Sequence, residues 1–114
     1  MNTLDLAHTI ITTLEEKKGE DILLLDVHEI TSFTDYFILC TATSSRMLEA
    51  LSEAILEKVR QAFQKKTRPE GAAETGWVVL DYGDVVVHLF DPELRSYYNL
   101  EDLWREGKIL VRLQ

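Results

Sequence analysis

The sequence has few of the residues from which covalent or metal-bound sites are built. Cys40 is the only cysteine in 114 residues, so an internal disulfide is excluded and a cysteine-rich zinc site is disfavoured. The histidines at positions 8, 28 and 88 lack the i, i+4 spacing of a metal-binding pair on a helix. A glycine-rich phosphate loop, a dinucleotide fingerprint and a nucleophile elbow are also missing. The sequence therefore lacks the common signatures of several enzyme classes.

Long hydrophobic segments are missing as well. No run approaches the length needed to span a bilayer, and the first five residues lack the basic region of a secretory signal. Cys40 lies inside an apolar run, which is typical of a small core residue in a reducing compartment. We therefore expect a cytoplasmic protein that folds as one domain over residues 1–114.

Basic residues are scarce relative to acidic ones. Twelve Lys and Arg stand against 20 Asp and Glu, which gives a formal net charge of -8. The basic residues are concentrated at 57–69, and acidic residues dominate the sequence on both sides of that segment. An acidic surface repels nucleic-acid phosphates and attracts cationic partners. Direct nucleic-acid binding as the main activity is thus disfavoured, and a basic protein surface is the predicted partner.

Apolar periodicity predicts an α+β fold with a single sheet. The predicted helices cover residues 3–18, 44–66 and 92–98, and the predicted strands cover 21–27, 34–41 and the two arms of a hairpin at 76–91. Residues 69–74 are predicted to form a loop, and the apolar tail at 108–113 has no assigned structure. The order α-β-β-α-β-β-α favours one mixed sheet with helices packed on it. The long second helix resembles a crossover connection, so one parallel strand pair is expected.

The predicted hairpin has two chemically different faces. A two-residue loop at Tyr82-Gly83 joins its strands, and the resulting register pairs Asp81 with Asp84, Val79 with Val86 and Trp77 with His88. One face is entirely aliphatic and belongs in a core; it carries Val78, Leu80, Val85, Val87 and Leu89. The opposite face combines carboxylates, a tryptophan and a histidine. We expect something other than water to cover that second face.

Two interpretations of these polar residues remain open at this point. Asp26, Asp81 and Asp84 could converge to hold Mg²⁺ for nucleotidyl or phosphoryl transfer. Asp81 and Asp84 are also ordinary residues for a hairpin turn, where Asp suits the loop and Gly supplies a positive φ. His88 is either a satisfied core residue or part of a contact surface.

Aromatic residues are concentrated in the last third of the chain. Binding hot spots favour Trp, Tyr and Arg, because these side chains bury a large area and keep a polar group. Six such residues lie within 28 positions: Trp77, Tyr82, Arg95, Tyr97, Tyr98 and Trp104. A half-exposed aromatic patch ringed by carboxylates would suit a partner rich in Lys and Arg.

An ordered series of sequence blocks resembles the Iojap-like ribosomal silencing factors. The blocks are Asp35-Tyr36-Phe37-Ile38, Thr41-Ala42-Thr43-Ser44-Ser45-Arg46, Pro69-Glu70-Gly71, the hairpin from Gly76 to His88, and Asp91-Pro92-Glu93-Leu94-Arg95-Ser96-Tyr97-Tyr98-Asn99-Leu100-Glu101-Asp102-Leu103-Trp104. The resemblance covers residues 4–104 and leaves the tail after Trp104 outside it.

The resemblance implies a translational repressor without enzymatic activity, catalytic residues, metal or cofactor. Members of this family bind the large ribosomal subunit through its protein number fourteen and sterically block joining with the small subunit when nutrients are limited. Their fold is similar to that of nucleotidyltransferases. A homodimer in the free state is a further expectation for the partner-binding hairpin face.

The resemblance also implies which residues contact the partner. The carried-over positions are Trp77, Leu80, Asp81, Tyr82, Asp84, His88, Tyr98 and Asn99. Leu80 conflicts with the predicted register, which buries it on the aliphatic face. Either the hairpin loop is longer than two residues or Leu80 is structural.

Overall fold

A computed structural model describes residues 3–29, 31–94 and 108–113, and within these ranges two helices cover one side of a six-stranded sheet. The elements are α1 (Thr3–Glu16), β1 (Glu20–Asp26), β2 (Tyr36–Thr41), α2 (Ser45–Phe63), β3 (Glu70–Ala72), a 3-10 turn (Ala73–Thr75), β4 (Trp77–Asp81), β5 (Val85–Phe90) and β6 (Lys108–Leu113). The strands lie in the order β3-β4-β5-β2-β1-β6. The predicted α+β class and single mixed sheet are confirmed.

Local sequence explains the bounds of α2. Ser44 is extended, and its hydroxyl accepts a hydrogen bond from the backbone N–H of Met47 at 3.1 Å, which satisfies one free donor of the first turn. At the other end Gln64 adopts a left-handed conformation, and its N–H donates to the carbonyl of Arg60. The helix therefore begins one residue later and ends three residues earlier than predicted.

The centre of the sheet is the expected crossover. β2 and β5 are parallel and pair residue by residue, with Ile38 opposite Val87. All other neighbouring strands are antiparallel. The chain leaves β2, runs through α2 across one face of the sheet, and returns to the same sheet by way of the hairpin. The prediction of one parallel pair is confirmed.

The hairpin has the predicted faces but a different register. Trp77 pairs with Phe90, and Val79 pairs with His88. The hairpin extends one residue further than predicted, because the Tyr82 N–H donates to the Val85 carbonyl and the loop consists of Gly83 and Asp84. Gly83 has a φ of 87°, a conformation that glycine adopts without steric penalty. The predicted loop at Tyr82-Gly83, and the pairings that followed from it, are wrong. Each partner is displaced by two positions, so every side chain keeps its predicted face.

The sheet buries a separate cluster on each side. The helix-side core joins α1 and α2 to the sheet; it includes Leu6, Ile10, Ile55, Leu80 and Val87, all fully buried. The far-side cluster lies on the opposite face and contains Leu23, Leu25, Val27, Phe37, Leu39 and Phe90, with Trp77, Val86 and Leu94 packed against it. Alternate residues of β4 and β5 therefore contribute to different clusters.

Two strands were not predicted from the sequence. The expected loop at 69–74 contains β3, which pairs with β4 at one edge, and the unassigned tail contains β6, which pairs with β1 at the other. Residues 92–94 are helical as predicted, and the Asp91 carboxylate accepts from the Leu94 N–H at 2.7 Å. The rest of the helix predicted at 92–98 lies outside the described residues. Across the described ranges, neither helix has the length and apolarity to cross a membrane.

Candidate functional site: the hairpin face

The candidate site is the side of β4 and β5 that faces away from the helices, named here the hairpin face. Its side chains are Trp77, Val79, Asp81, Val86 and His88. Trp77, Val79, Val86 and His88 are partly buried, whereas Asp81 is exposed. Four apolar or aromatic groups thus share a partly accessible surface with a carboxylate at its end.

Aromatic rings organise the part of this face nearest the far-side cluster. The His88 ring stacks on Phe90 with centroids 5.8 Å apart and lies 5.2 Å from Phe37. Trp77 lies over the same rings, 5.3 Å from Phe90 and 6.3 Å from His88. These separations fall in the range of favourable aromatic contacts. The rings hold one another in place, so the patch is preformed.

His88 is a polar group in an apolar setting. Burial lowers the pKa of His88 to about 4, and the nearby Asp81 charge acts in the opposite direction. Neither ring nitrogen has a hydrogen-bond partner among the residues that the structure describes. His88 is therefore neutral near pH 7, and it sits in the aromatic cluster without satisfying its own donor and acceptor.

Carboxylates mark the loop end of the hairpin. Asp81 is exposed, and one of its carboxylate oxygens accepts the Gly83 N–H at 2.8 Å while its carbonyl accepts the Thr67 hydroxyl at 2.7 Å. Asp84 is also exposed, and its carbonyl accepts the backbone N–H groups of Asp35 and Tyr36. The hairpin tip is thus fixed both to the segment before β3 and to the start of β2.

Two carried-over contact residues do not lie on this face. Leu80 is fully buried in the helix-side core, because odd and even positions of β4 point to opposite sides of the sheet. Tyr82 also packs into that core; its hydroxyl is buried without a partner in the described ranges, and burial raises its pKa to about 12. Both side chains are packed into the helix-side core in this conformation, as the predicted hairpin faces required for Leu80; their contact with a partner stays a prediction. Tyr98 and Asn99 lie outside the described residues.

The carboxylates of the metal hypothesis do not converge. Asp26 is on β1, three strands away from Asp81 on β4, which corresponds to roughly 14 Å at the usual interstrand spacing. Asp26 also bonds to the ring of His28, and this bond raises the pKa of His28. No group of three metal-binding side chains occurs in residues 3–29, 31–94 or 108–113. The proposed Asp26, Asp81 and Asp84 triad is therefore not assembled.

Sequence reasoning missed one prominent residue near this end of the sheet. Phe33 is 87% exposed, the highest value for a large hydrophobic residue in the described part of the chain. Its N–H donates to the Thr31 hydroxyl at 3.2 Å, in the loop that also bonds to the hairpin through Asp35 and Asp84. The available signal was a single aromatic residue within the polar stretch 31–35.

The mixed sheet with two helices on one side defines a small α+β protein, and its hairpin face carries partly accessible apolar and aromatic side chains beside an exposed carboxylate. A family model described as ribosomal silencing factor during starvation matches residues 1–113, and the chain belongs to this family. The match includes the tail, so the expectation that residues after Trp104 fall outside the family is wrong.

Individual relatives agree with this assignment. The ribosomal silencing factor RsfS of Bacillus subtilis is 36% identical over 109 residues, which covers 96% of this chain and 92% of the relative. The chloroplast protein Iojap of Zea mays is 35% identical over 104 residues, covering 89% of this chain and 44% of that longer protein. A crystal structure of a Chromobacterium violaceum protein, 34% identical, superimposes with a TM-score of 0.87 and covers 97% of this chain and 94% of the other.

Proposed function

We propose that this protein represses translation by occupying the large ribosomal subunit where the small subunit would join. In this proposal the hairpin face binds a basic patch on the subunit's protein number fourteen, and no bond is made or broken. The proposal also places the protein in the cytoplasm, with Cys40 as a buried thiol. Family membership supports a role in ribosome silencing, and the hairpin face supports the manner of binding.

The observation that carries the proposal is the composition of the hairpin face. Trp77, Val79 and Val86 offer partly accessible apolar area, and Asp81 places exposed negative charge at its end. Asp84 adds exposed charge at the neighbouring loop, where its carboxylate accepts the Thr3 hydroxyl of α1 at 3.4 Å. Aromatic anchors beside carboxylates match a partner that is apolar at its centre and cationic at its rim. The same charges repel ribosomal RNA phosphates, so they favour a protein target on a mostly anionic particle.

Steric blocking requires no large conformational change. The tip of the hairpin is held by backbone hydrogen bonds to Asp35 and Tyr36, so the face is preorganised. An interface of standard size, about 1,600 Å² in total, would suffice if it overlaps the joining surface. Affinity should depend on salt, because part of it comes from exposed carboxylates.

Sedimentation with purified subunits tests this proposal. The wild-type protein should co-sediment with the large subunit, not with the small one, and should reduce formation of joined ribosomes. Asp84→Lys should weaken co-sedimentation at least tenfold, because the reversed charge faces a cationic patch. Glu15→Lys, the same charge change on the exposed end of α1, is the matched control and should bind normally. Equal binding by all three proteins would refute the hairpin face as the contact surface.

The Asp81 carboxylate allows charge and turn geometry to be separated. Asp81→Asn keeps an oxygen that can accept the Gly83 N–H but removes the charge, whereas Asp81→Lys loses both. If charge drives binding, both variants should weaken co-sedimentation while Asp81→Asn melts like the wild type. If Asp81→Asn binds normally, the weaker binding of Asp81→Lys comes from disruption of the turn and not from loss of the negative charge.

We also propose that two copies pair through the hairpin face when no subunit is present. The support is the partly exposed apolar area, which a second copy would cover. Pairing would bring like charges together, so the dimer should strengthen as salt is raised, opposite to subunit binding. Sedimentation equilibrium at low and high salt distinguishes these cases, and a monomer throughout would refute the dimer.

A further inference from the structure

A groove runs along α2 on the helix side of the sheet, away from the hairpin face. Its first wall is α2, with Glu49 and Glu53, and its second wall is the segment from Pro69 to Glu74, which includes β3. Leu56 and Val78 lie at its base. The volume is about 350 Å³, and a neighbouring cavity of about 320 Å³ continues past Leu56 toward Thr67. A groove of this size accommodates several side chains of a ligand.

The second wall depends on a glycine. Gly71 has a φ of 83°, and a Cβ built there would lie 2.4 Å from the Trp77 carbonyl oxygen. Glycine therefore lets β3 approach β4 closely and keeps the second wall small, with Ala72 and Ala73 beside it. Larger side chains at these positions would narrow the groove.

The charges along α2 are not explained by helix stability. Glu49, Glu53 and Glu57 follow one another at i, i+4 spacing on an exposed face, and like charges at that spacing destabilise a helix. None of the three forms an ion pair with a residue in the described ranges. Glu74 adds a fourth carboxylate on the opposite wall. Acidic groups therefore border the groove on both sides, and none of them forms an ion pair within residues 3–29, 31–94 or 108–113.

A hydroxyl lies at the base of the groove on a residue that is largely buried. Ser52 lines the groove, and only 6% of the residue is exposed. Its side chain makes no hydrogen bond to any residue that the structure describes. By contrast, the hydroxyl of Thr13 on α1 bonds to the Thr9 carbonyl within its own helix. Ser52 thus offers a free donor and acceptor beside the apolar base formed by Leu56 and Val78.

We propose that this groove binds a lysine- or arginine-rich segment of a partner protein that carries apolar side chains between its cations. The apolar side chains would cover Leu56 and Val78, the cations would pair with Glu49, Glu53 and Glu74, and a polar group would reach Ser52. Charge complementarity identifies the occupant, because both walls are acidic at this end. Arg60 and Lys66 flank the far cavity, so the basic part of the segment lies toward Glu49.

The groove is independent of the proposed function. Val78 faces α2 while Trp77 and Val79 face the other way, so the groove stays accessible when the hairpin face is occupied. The protein could then hold two basic partners at once. Loss of subunit binding by Asp84→Lys and loss of groove binding by variants on α2 are separate results.

Titration of the full ¹⁵N-labelled chain with a synthetic peptide tests the groove. The probe has eight residues, six lysines around two central leucines, and its control has serine in place of each leucine. The probe should shift the amides of Ser52, Leu56 and Ala72, and the serine peptide should bind at least fivefold more weakly. Equal binding of the two peptides, or shifts confined to the hairpin face, would overturn the proposal.

Matched charge reversals complete the test. Glu49→Lys/Glu53→Lys should weaken binding of the leucine-containing peptide at least tenfold, while Glu15→Lys/Glu16→Lys, with the same change in net charge, should stay within twofold. All four glutamates are exposed, so both variants should fold, as melting curves would verify. Equal losses in both variants would overturn the proposal. Spermine binding as tightly as the peptide would also overturn the proposal, because the groove would then bind small polycations. Shifts of the same amides that depend on protein concentration without peptide would overturn it too, because a second copy of the chain would then occupy the groove.

Discussion

The two faces of the hairpin share the same strands but differ in how they are covered. On the helix side, Leu80, Val85, Val87 and Leu89 are fully buried under α1 and α2. On the hairpin face, Trp77, Val79, Val86 and His88 stay partly accessible. Neighbouring residues along one strand therefore have different tasks: one set stabilises the fold, and the other is available to a partner.

The largest expected effect concerns the only titratable ring within the hairpin face. Burial lowers the pKa of His88 to about 4, so between pH 6.5 and pH 4 the unfolded chain binds a proton that the folded chain does not. Above pH 6.5 the neutral His88 makes its full contribution to the free energy of unfolding. That free energy should fall by roughly 3 kcal/mol as the pH drops to 4, because protonation then favours the unfolded chain. Urea unfolding at several pH values measures this.

His88→Phe isolates that effect from the titration of carboxylates. The variant keeps a ring against Phe37 and Phe90 but cannot take up a proton. Its unfolding free energy should therefore fall less steeply than the wild-type value between pH 6.5 and 4. Parallel curves for the two proteins would contradict the assignment of the slope to His88.

Adjacent valines provide the direct comparison of the two faces. Val87→Ala removes two methyl groups from the helix-side core and should lower the free energy of unfolding by about 2 kcal/mol, from roughly 0.8 kcal/mol per buried carbon plus a cavity contribution. Val86→Ala makes the same chemical change on the partly accessible face and should cost less than half as much. Denaturant unfolding of both variants measures the difference.

The same pair should reverse its order in a binding measurement. Val86→Ala removes apolar area that the proposed interface would cover, so it should weaken co-sedimentation with the large subunit. Val87→Ala, compared as folded protein, should bind like the wild type. Equal binding losses in the two variants would remove the functional distinction between the faces.

The smallest expected effect concerns a buried hydroxyl on the helix side of the sheet. The Tyr82 hydroxyl is buried without a hydrogen-bond partner in the described ranges. Tyr82→Phe removes this unsatisfied group and should raise the free energy of unfolding by about 1 kcal/mol. Subunit binding should not change, because the hydroxyl faces away from the hairpin face. A binding defect with unchanged stability would restore Tyr82 as a contact residue.

The sequence predicts the faces of this protein better than its pairings. A loop at Tyr82-Gly83 and a loop at Gly83-Asp84 place every hairpin side chain on the same side, so periodicity alone cannot choose between them. The choice depends on Tyr82, which remains paired with Val85 while its ring packs into the helix-side core. That packing is a tertiary contact and is not encoded in local spacing.

The edge strands of the sheet also could not be predicted from the sequence. β3 has three residues and a central glycine, and it is a strand only because β4 pairs with it. In contrast, the apolar stripe of α2 recurs over five turns and predicts its buried residues Leu48, Leu51, Ile55 and Val59. The hairpin face could be predicted from the alternation along β4 and β5, whereas the groove beside α2 could not, because it depends on β3.

The hydrogen bonding of the Asp84 carbonyl, which accepts the backbone N–H groups of Asp35 and Tyr36, has a mechanical consequence. It ties the loop end of the hairpin to the start of β2, which forms the parallel pair with β5 at the middle of the sheet, so the tip cannot swing aside unless the sheet itself opens. If the protein blocks subunit joining as proposed, the blocker is stiff: an approaching particle would not displace it by bending it and would have to wait until the whole molecule leaves. The duration of a block would then be governed by the lifetime of the bound complex, with little contribution from motion inside the protein.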